Sequence, residues 1–281
     1  MRYLYFLLAF LNFHFIVDAQ KTDDCLAVNI MTYNIRNSNA KDSINSWEFR
    51  KENLASQILF YAPDIIGMQE VLPDQLQYLR EKLTNYHWYG VGRNKEKSNE
   101  YSPVFYNKDR YVLLDSATFW LSETPQIPSS KGWDAALPRI CTWVNLKDIY
   151  TKKEIYFFNT HLDHVGKLAR KNGTKLILEH INKVSKKYPC IFTGDFNYNA
   201  STENYKLITS ELKDAQFVSQ TPHYGPPGTS SGFWVEKPLK GKIDFIFVNN
   251  VVTVLKHAVL TDQIDKRYFS DHLAVFARVR Y

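Results

Sequence analysis

Short apolar runs with the composition of β-strands recur along the chain, and helical segments separate only some of them. The runs are LAVNIMTYN (26–34), DIIGMQ (64–69), SPVFY (102–106), ICTWVNL (140–146), EIYFFNTHL (154–162), CIFTGD (190–195), KIDFIFV (242–248) and HLAVFARV (272–279). Strand-like sequence continues without a helix through 101–120 and 139–162. This pattern favours two packed, mostly antiparallel sheets with helices on their outer faces over a regular doubly wound parallel sheet.

Three segments between these runs have apolar residues at helical spacing. The apolar positions are Leu54, Ile58 and Tyr61, then Leu76, Leu79 and Leu83 after Pro73, then Ile177, Ile181 and Val184 within about 166–187. We find no internal repeat, low-complexity tract or linker, so one large core is expected. The Pro/Gly/Ser-rich piece 221–233 lies between strand-like runs and is predicted to be a long surface loop.

The first residues have the pattern of a secretory signal. Arg2 precedes an apolar stretch from Tyr3 to Val17, and Val17-Asp18-Ala19 places small residues before a cleavage point. An uncleaved anchor is the alternative, but about 20 strongly apolar residues are needed to span a bilayer. We therefore predict a signal peptide at 1–19, a mature domain at 20–281 without a membrane span, and a secreted or periplasmic protein.

The net charge and the cysteines say little about the binding partner or the fold. The formal net charge of the 281 residues is +6, which suits an anionic partner but is also common for a basic surface. The three cysteines, Cys25, Cys141 and Cys190, cannot form a disulfide framework, and no pair has the spacing of zinc ligands. Cys141 and Cys190 lie within apolar runs and are expected to be buried thiols.

The stretch TGDFNYN (193–199) places an acid and an amide just after a strand-like run. Side chains two apart on an extended chain point the same way, so Asp195 and Asn197 are expected to project together. Together they could orient a water molecule and contact a phosphate. Taken alone, the same residues could equally form a turn, since Asp, Asn and Gly dominate turns.

Five other strand ends also carry polar residues, where a packed core does not need them. The motifs are TYNIR with Asn34, GMQEV with Glu70, NTHLDH with His161 and His164, KIDFIFV with Asp244, and YFSDHLAVF with Asp271 and His272. One acid at a strand end is usually a cap or a turn. Six such sites in one chain indicate a catalytic centre.

These motifs resemble the endonuclease/exonuclease/phosphatase superfamily, which includes deoxyribonuclease I, apurinic/apyrimidinic endonucleases, deadenylases, neutral sphingomyelinases and inositol polyphosphate 5-phosphatases. TYNIR, QE, THL, GDFN, IDFIFV and SDH follow one another in the family's order from Met31 to about Val279. The resemblance implies a four-layer α/β sandwich with the active site at one edge of the two sheets. FWLSETP, GWDAALPRICTW and NTHLDHVGKLAR look most similar to a bacterial secreted or periplasmic group without an assigned substrate.

The resemblance also implies roles for the matching residues. Glu70 matches the principal Mg²⁺ ligand, with Asn34 beside it and Asp271 as a further ligand, directly or through water. Asp195 matches the acid that orients or deprotonates the attacking water. His272 is expected to form a hydrogen-bonded pair with Asp244.

Further residues match the family's second acid–base group and its phosphate contacts. His161 matches the second acid–base histidine of deoxyribonuclease I, and Glu100 matches the glutamate that orients it. A buried structural histidine is the alternative for His161. Asn197, Arg139 and His164 are expected to contact the phosphate, and Asn34 would add a donor to the same oxygens.

Two departures from the family narrow the prediction. Arg36 stands where apurinic/apyrimidinic endonucleases carry an acid, which makes a second metal ligand and two-metal chemistry less expected. KIDFIFV (242–248) replaces the tryptophan-and-arginine block of the phosphoinositide enzymes, which disfavours that substrate class.

Two assignments of the acid and base roles are consistent with these residues. In the first, Asp195 activates the water while His272, paired with Asp244, holds the phosphate as an imidazolium. In the second, His272 is the base, and His161 with Glu100 is the acid. The family's metal-centred mechanisms favour the first.

The sequence thus predicts a secreted, Mg²⁺-dependent phosphodiesterase of nucleic acids or nucleotides, with Mn²⁺ as an alternative metal. The second candidate is a phosphatase or phosphodiesterase acting on sugar, inositol or lipid head-group phosphates. A catalytically inactive binding module is the remote alternative, disfavoured because every core motif is present. We expect a monomer whose partner is the phosphoester substrate, and we expect small phosphoesters to be hydrolysed at least as well as long duplex DNA.

Overall fold

The computed structural model describes residues 27–94 and 99–281. Within them the strands are β1 (Val28–Asn34), β2 (Ile65–Gln69), β3 (Tyr86–Tyr89), β4 (Val104–Asn107), β5 (Tyr111–Trp120), β6 (Ile140–Asp148), β7 (Glu154–His161), β8 (Cys190–Asp195), β9 (Lys213–Asp214), β10 (Asp244–Val248), β11 (Thr253–Val259), β12 (Gln263–Ile264), β13 (Arg267–Tyr268) and β14 (Val275–Arg280). The α-helices are α1 (Trp47–Tyr61), α2 (Pro73–Lys82), α3 (Lys167–Ser185) and α4 (Glu203–Thr209), and a short 3₁₀ helix, Ser43–Asn45, precedes α1.

The strands form two six-stranded sheets and one small hairpin. The first sheet has the order β11-β14-β1-β2-β4-β3, the second has the order β5-β6-β7-β8-β10-β9, and β12 pairs with β13. The pairs β1–β2 and β7–β8 are parallel. The other pairs are antiparallel, which confirms the predicted arrangement.

Three apolar clusters stack these elements in four layers. Between the sheets, Ile30 and Ile65 of the first sheet pack in one buried cluster with Phe157 and Ile191 of the second. Burying one such side chain contributes about 1.5–3 kcal/mol. Outside the sheets, a second cluster joins α3 and α4 to the second sheet, and a third joins α1 and α2 to the first. The α/β sandwich implied by the sequence is therefore the observed fold.

The parallel pair at the centre of each sheet brings polar residues to one edge. In the first sheet, β1 ends at Asn34 and β2 ends immediately before Glu70. In the second sheet, His161 at the end of β7 is the register partner of Asp195 at the end of β8. Asp244 begins β10 and is the antiparallel register partner of Asp195. The edge predicted to be catalytic is thus formed by the ends of five strands.

A glycine sets the close approach of β7 and β8 just before Asp195. A Cβ atom on Gly194 would lie 2.2 Å from the carbonyl oxygen of Thr160. Only glycine allows the two strands to come this close without a shift of the backbone. The glycine of the GDFN motif therefore positions the acid that follows it.

The helical predictions are confirmed at all three segments, and the structure adds elements that the sequence did not indicate. The edge strands β3 and β11 were not identified: β3 has only exposed or half-buried residues, and buried residues of β11 are separated by exposed or half-buried ones. Trp47 begins α1 and is buried, 4% exposed. It packs in the core and is not available to stack on a substrate.

The remaining sequence predictions fall partly outside the described residues. The proposed signal peptide, its cleavage point and Cys25 lie there. Cys141 and Cys190 are free, buried thiols, as expected. None of the helices in residues 27–94 and 99–281 is long and apolar enough to cross a membrane.

Candidate active site

A pocket of about 360 Å³ opens at the edge where the strand ends meet. Its lining residues are Arg36, Asn37, Glu70, Arg93, Glu100, Leu137, Arg139, His161, His164, Asp195, Asn197, Asp271 and His272. Every site residue predicted from the sequence lines this pocket except Asn34 and Asp244, which lie behind it and hydrogen-bond to lining residues. A larger cavity of about 480 Å³ beside α1 has one acid, Asp262, and no base, so it lacks comparable chemistry.

The end of the first sheet holds the Glu70 carboxylate through two amides. Asn34 Nδ2 donates to Glu70 Oε1 at 3.1 Å, and Asn37 donates to Oε2 through its backbone N at 3.1 Å and through Nδ2 at 2.7 Å. Burial alone would raise the pKa of Glu70, but neighbouring imidazolium charges and these hydrogen bonds lower it to about 2. Glu70 is therefore a fixed negative charge at the pocket wall.

Asn34 is oriented as a hydrogen-bond donor to two carboxylates. Besides Glu70, its Nδ2 donates to Asp195 Oδ2 at 2.9 Å, and its Oδ1 accepts the backbone N–H of Arg36 at 3.0 Å. The amide oxygen is thus engaged within the protein. In this arrangement Asn34 positions the acids of both sheets relative to each other.

Asp195 lies at the centre of the site and is 2% exposed. Its Oδ1 accepts the backbone N–H of Asn197 at 3.0 Å, and its Oδ2 lies 3.5 Å from His161 Nε2 and 3.9 Å from His272 Nε2. Burial raises the pKa of this carboxyl, and the charge of Asp244 adds to the effect. A carboxylate of raised pKa between two imidazoles is suited to accept a proton.

Behind Asp195, a buried acid pairs with His272. Asp244 Oδ2 lies 2.9 Å from His272 Nδ1 and accepts the hydroxyl of Thr229 at 2.6 Å. Burial disfavours the charged imidazolium, but the carboxylates of Asp244 and Asp195 outweigh it, so the pKa of His272 lies well above its usual value. His272 therefore carries a positive charge at neutral pH.

His161 stands between Asp195 and a second carboxylate. Its Nδ1 lies 3.5 Å from Glu100 Oε1, which is within ion-pair distance, but Nδ1 makes no hydrogen bond among the described residues. Glu100 is instead bound tightly by Arg93, whose NH1 donates to the same Oε1 at 2.7 Å. The predicted Glu100–His161 pair is thus adjacent, with Arg93 as the closer partner of the glutamate.

Arg139 and His164 form the far wall of the pocket. Arg139 NH2 lies 3.0 Å from His164 Nδ1, and Arg139 Nε donates to Asp163 Oδ2 at 3.4 Å. The Asp163 carboxylate is 2% exposed and accepts four backbone N–H groups, from residues 136, 137, 165 and 166. Burial opposes its ionisation, but these hydrogen bonds hold the pKa of Asp163 well below its usual range. Asp163 therefore anchors Arg139 and does not face a substrate.

On the opposite wall, Arg36 contacts Asp271. Arg36 is held by Asp42 at 2.9 Å, and its NH1 lies 3.5 Å from Asp271 Oδ2. Burial raises the pKa of Asp271, and the nearby charge of Glu70 acts in the same direction. The two carboxylates predicted to bind metal thus share this side of the pocket.

Three residues at the strand ends adopt left-handed backbone conformations. They are Arg36 with φ 57°, Glu70 with φ 61° and Asn197 with φ 53°. Such conformations are unusual for side chains other than glycine, asparagine and aspartate, and they concentrate at functional sites. Here they turn the chain sharply as it leaves β1, β2 and β8, which aims the polar side chains into the pocket.

The comparison with known families agrees with this geometry. The sequence profile of the endonuclease/exonuclease/phosphatase family matches residues 31–272. The chain belongs to this family. Members of the endonuclease/exonuclease/phosphatase family are hydrolases that act on phosphoester bonds, nucleases and phosphatases among them, and the chain is accordingly a phosphoester hydrolase.

Solved structures of the family share nearly the whole described chain. A mannosyl-6-phosphatase from Bacteroides thetaiotaomicron is 36% identical, with a TM-score of 0.86 over 90% of this chain and 100% of that one. An endonuclease/exonuclease/phosphatase from Bacteroides vulgatus is 38% identical, with a TM-score of 0.86 over 90% of this chain and 98% of that one.

Among curated proteins, the chain is similar to the CCR4-Not complex 3'-5'-exoribonuclease subunit Ccr4 of Emericella nidulans. The two are 28% identical over 227 residues, which is 68% of this chain and 33% of that protein. This chain spans about a third of the length of such relatives. The similarity therefore covers the family domain and not the larger protein.

The acidic side of the pocket suits a divalent cation, which enzymes of this family generally use. Glu70, Asp195 and Asp271 line one pocket with hard carboxylate oxygens, the ligands that Mg²⁺ and Mn²⁺ prefer. Ligand atoms of Asp195, Asp244 and His272 also lie within 4.8 Å of one another. A cation there would have to displace the Asp244–His272 hydrogen bond, so Glu70 and Asp271 are the better candidates.

Sequence reasoning missed three residues that hold the site. Arg93 binds Glu100, Asn37 binds Glu70, and Thr229 binds Asp244. Each lies in a segment without strand or helix pattern, and Thr229 comes from the predicted surface loop 221–233, where it is in fact fully buried. Asn37 was the one that its position in the sequence could have suggested, because it directly follows the TYNIR motif (32–36).

Proposed function

We propose that the protein is a metal-dependent phosphatase of small phosphoesters, with sugar phosphates as the leading substrate class. The observation that carries this proposal is the compact pocket of about 360 Å³, whose lining includes Leu137 and three arginines, Arg36, Arg93 and Arg139. Such a volume is typical of sites for small molecules. The similarity to the Bacteroides mannosyl-6-phosphatase, over nearly the full length of both chains, supports it.

The distribution of positive charge also disfavours a long polymer as substrate. A nuclease that grips a polymer needs several phosphate contacts along an open groove. The basic residues of 167–175 do not line the pocket. The site therefore supports binding of a compact anion better than binding of a duplex.

The positions of Asp195 and His161 indicate which group accepts a proton and which donates one during hydrolysis. A water oxygen forms the new bond to phosphorus as the bond from phosphorus to the leaving oxygen breaks. Asp195, with its raised pKa, accepts the proton of the water, and the leaving oxygen takes a proton from His161, whose Nε2 lies 3.5 Å from Asp195 Oδ2.

The charge state of His272 supports this assignment over the alternative in which His272 is the base. An imidazolium held by the Asp244 carboxylate cannot accept a proton but can stabilise the charge on the phosphoryl oxygens. The Asn197 side chain donates to the carbonyl oxygen of Leu162 at 3.0 Å and so fixes the loop that follows Asp195. His272 is therefore proposed to bind the phosphate, and Asp195 to act as the base.

We also propose that Mg²⁺ binds through Glu70 and Asp271, with Mn²⁺ as a substitute. The cation would supply charge neutralisation for the phosphoryl group. Glu70→Gln removes a charge as well as an oxygen, whereas Asn34→Ala removes an amide that already donates within the protein. We expect Glu70→Gln to raise the Mg²⁺ concentration for half-maximal activity at least about tenfold more than Asn34→Ala. Equal shifts in the two Mg²⁺ titrations would contradict Glu70 as the principal ligand.

The function is tested with a panel of phosphoesters in Mg²⁺ and in EDTA. The panel contains mannose 6-phosphate, a nucleoside monophosphate, an inositol phosphate, sphingomyelin, a short RNA and plasmid DNA, with Asp195→Asn as the inactive control. We expect the highest kcat/KM on the sugar phosphate and none with EDTA. Efficient cleavage of plasmid DNA with a steep salt dependence, together with inactivity on small phosphates, would overturn the proposal.

A phosphodiesterase acting on nucleic acid ends is the second candidate, and the similarity to Ccr4 supports it. Preferential hydrolysis of the short RNA in the same panel would favour this candidate. We further propose that the protein is exported, from the signal-like pattern of 1–19. N-terminal sequencing of the exported protein should then begin at Gln20, and a protein that begins at Met1 would contradict cleavage.

A further inference from the structure

Three donors surround the Glu100 carboxylate, and it binds only one of them tightly. Arg93 NH1 donates to Oε1 at 2.7 Å, while His161 Nδ1 lies 3.5 Å and Arg139 NH1 3.9 Å from the same oxygen. Both of the more distant nitrogens are buried and have no hydrogen-bond partner among the described residues. An unpartnered buried donor costs about 1–3 kcal/mol. The position of Glu100 beside Arg93 therefore leaves two neighbours unsatisfied.

Arg93 is fixed through its backbone but not through its whole side chain. Its N–H donates to the carbonyl oxygen of Glu100 at 2.9 Å, and its carbonyl oxygen accepts Trp120 Nε1 at 2.7 Å. The side chain is 12% exposed and lines the pocket, and its Nε has no hydrogen-bond partner in residues 27–94 and 99–281. The guanidinium thus has donors left for another acceptor.

The charges on this wall favour an anion as that acceptor. Two guanidinium groups, those of Arg93 and Arg139, line the wall with a single carboxylate, Glu100, between them. A second carboxylate, Asp163, pairs with Arg139 Nε at 3.4 Å and accepts four backbone N–H groups, but it does not line the pocket. An anionic group of a ligand would make charge-assisted hydrogen bonds here, which are about twice as strong as neutral ones.

An anion on Arg93 cannot be the phosphate that is hydrolysed. The imidazole of His161 separates the two places, with Nε2 facing Asp195 and Nδ1 facing Glu100. Arg93 NH1 contacts Glu100, the carboxylate at the Nδ1 atom of this imidazole, whereas Asp195 is at its Nε2 atom. A group that reaches Arg93 while the scissile phosphate lies at Asp195 belongs to another part of the same substrate.

We propose that Arg93 binds a second anionic group of the substrate and thereby releases the Glu100 carboxylate toward His161. The proposal rests on the phosphatase function proposed above and names its substrate class as sugar phosphates that carry a further phosphate or carboxylate. Once released, Glu100 accepts a hydrogen bond from His161 Nδ1 and so fixes the orientation of the ring whose Nε2 donates to the leaving oxygen. Binding of the second anion is therefore coupled to kcat as well as to KM.

The test compares mannose 6-phosphate with mannose 1,6-bisphosphate at saturating Mg²⁺, with loss of the C6 phosphate followed by ³¹P NMR. For the wild-type protein we expect kcat/KM to be about tenfold or more higher for the bisphosphate, as for one charge-assisted hydrogen bond, with part of the gain in kcat. In Arg93→Gln we expect the ratio between the two substrates to fall to about one. Arg93→Lys should restore part of the ratio, because it keeps the charge but loses the fork of donors.

A matched control is Arg80→Gln, which removes the same charge from an exposed position on α2. It should keep the wild-type ratio. A wild-type ratio near one, or a wild-type ratio retained in Arg93→Gln, would overturn the role of Arg93 while leaving the phosphatase function intact. If neither substrate is hydrolysed, the proposed function itself fails and this inference fails with it.

Discussion

Two buried histidines, one within and one next to a pair of neighbouring strands, have opposite electrostatic properties. His272 precedes β14, His257 lies in β11, and these two strands pair in the first sheet. Each Nδ1 atom has one polar partner at 2.9 Å, Asp244 for His272 and the imidazole of His223 for His257. Burial is comparable, with 8% of His272 and 2% of His257 exposed. The charge of the partner is the main difference between them.

The partners move the two pKa values in opposite directions. Burial lowers the pKa of His257 to about 2, and the positive charge of Lys242 and the proximity of His223 act in the same direction. At His272 burial acts in the same sense, but the carboxylates of Asp244 and Asp195 outweigh it and raise the pKa. His257 is therefore neutral and His272 charged at neutral pH.

The His223–His257 pair is held by two hydrogen bonds. His223 Nε2 donates to the carbonyl oxygen of Pro226 at 3.2 Å, and the Nδ1 atoms of the two imidazoles share a hydrogen bond at 2.9 Å. His257 Nε2 has no hydrogen-bond partner in the part of the chain that the structure describes. The His223–His257 pair has a structural role, because it holds the 221–233 segment against β11. The His272–Asp244 pair instead has a role in the proposed phosphate binding.

The largest expected difference between the two histidines is in turnover. His272→Gln removes the imidazolium proposed to bind the phosphate, so kcat on a small phosphoester should fall at least about 100-fold. His257→Gln should keep kcat within about threefold, since an amide can still donate to His223. Steady-state kinetics with circular dichroism checks this. A His272→Gln protein with near-normal kcat would break the comparison.

A smaller loss is expected when the partner of His272 loses its charge. Asp244→Asn keeps the size of the side chain but removes the carboxylate that holds the imidazolium. We expect kcat to fall more than about tenfold, the range for a hydrogen bond to a charged group. The matched change on the other pair, His223→Gln, should leave kcat nearly unchanged. Equal losses in the two variants would show that burial, not partner charge, distinguishes the pairs.

Thr229 tests whether the position of the Asp244 carboxylate also contributes. Its hydroxyl donates to Asp244 Oδ2 at 2.6 Å and accepts the backbone N–H of Asp244 at 3.2 Å. Thr229→Val should lower kcat about fivefold, the effect of one buried hydrogen bond. Thr229→Ser retains the hydroxyl and should recover most of this loss. Equal activity of the two variants would assign Thr229 a packing role only.

The smallest expected effect is on stability as pH falls. The folded-state pKa of His257, about 2, lies below the unfolded value of about 6.5, so below pH 6.5 only the unfolded chain takes up this proton. The contribution of neutral His257 to the free energy of unfolding is complete above pH 6.5 and decreases as the pH falls toward 2. Between pH 7 and pH 5.5 the loss amounts to about 1 kcal/mol.

Urea unfolding of the wild-type protein and of His257→Gln at these two pH values measures this contribution. The variant lacks the titrating group, so its free energy of unfolding should fall by about 1 kcal/mol less over the same interval. The comparison within each protein removes any constant cost of the substitution. The same pH dependence in both proteins would show that His257 is not buried in its neutral form.

The sequence indicated most of the fold because its signals are local. The strand runs and the three amphipathic helices follow from apolar spacing that one segment shows by itself, and each was found in place. The edge strands β3 and β11 were missed because a strand at a sheet edge is only partly covered, so neither one forms a fully buried apolar run.

The sequence by itself determined which chemical groups the site contains. Acids, amides and histidines follow apolar strands at Asn34, Glu70, His161 and Asp195, and the order of these motifs indicated the family. Their identity could be predicted because a polar residue directly after a buried strand has no role in the core, so the pattern is visible along the chain.

Only the tertiary structure decided which partner each group has. Glu100 lies closer to Arg93 than to His161, and Asn34 donates to two carboxylates that are 36 and 161 residues away from it. Charge and protonation follow from such contacts, since electrostatic interactions depend on distance and burial and not on sequence separation. For this reason two histidines fifteen positions apart could be recognised as similar residues from the sequence, while their opposite charges required the folded chain.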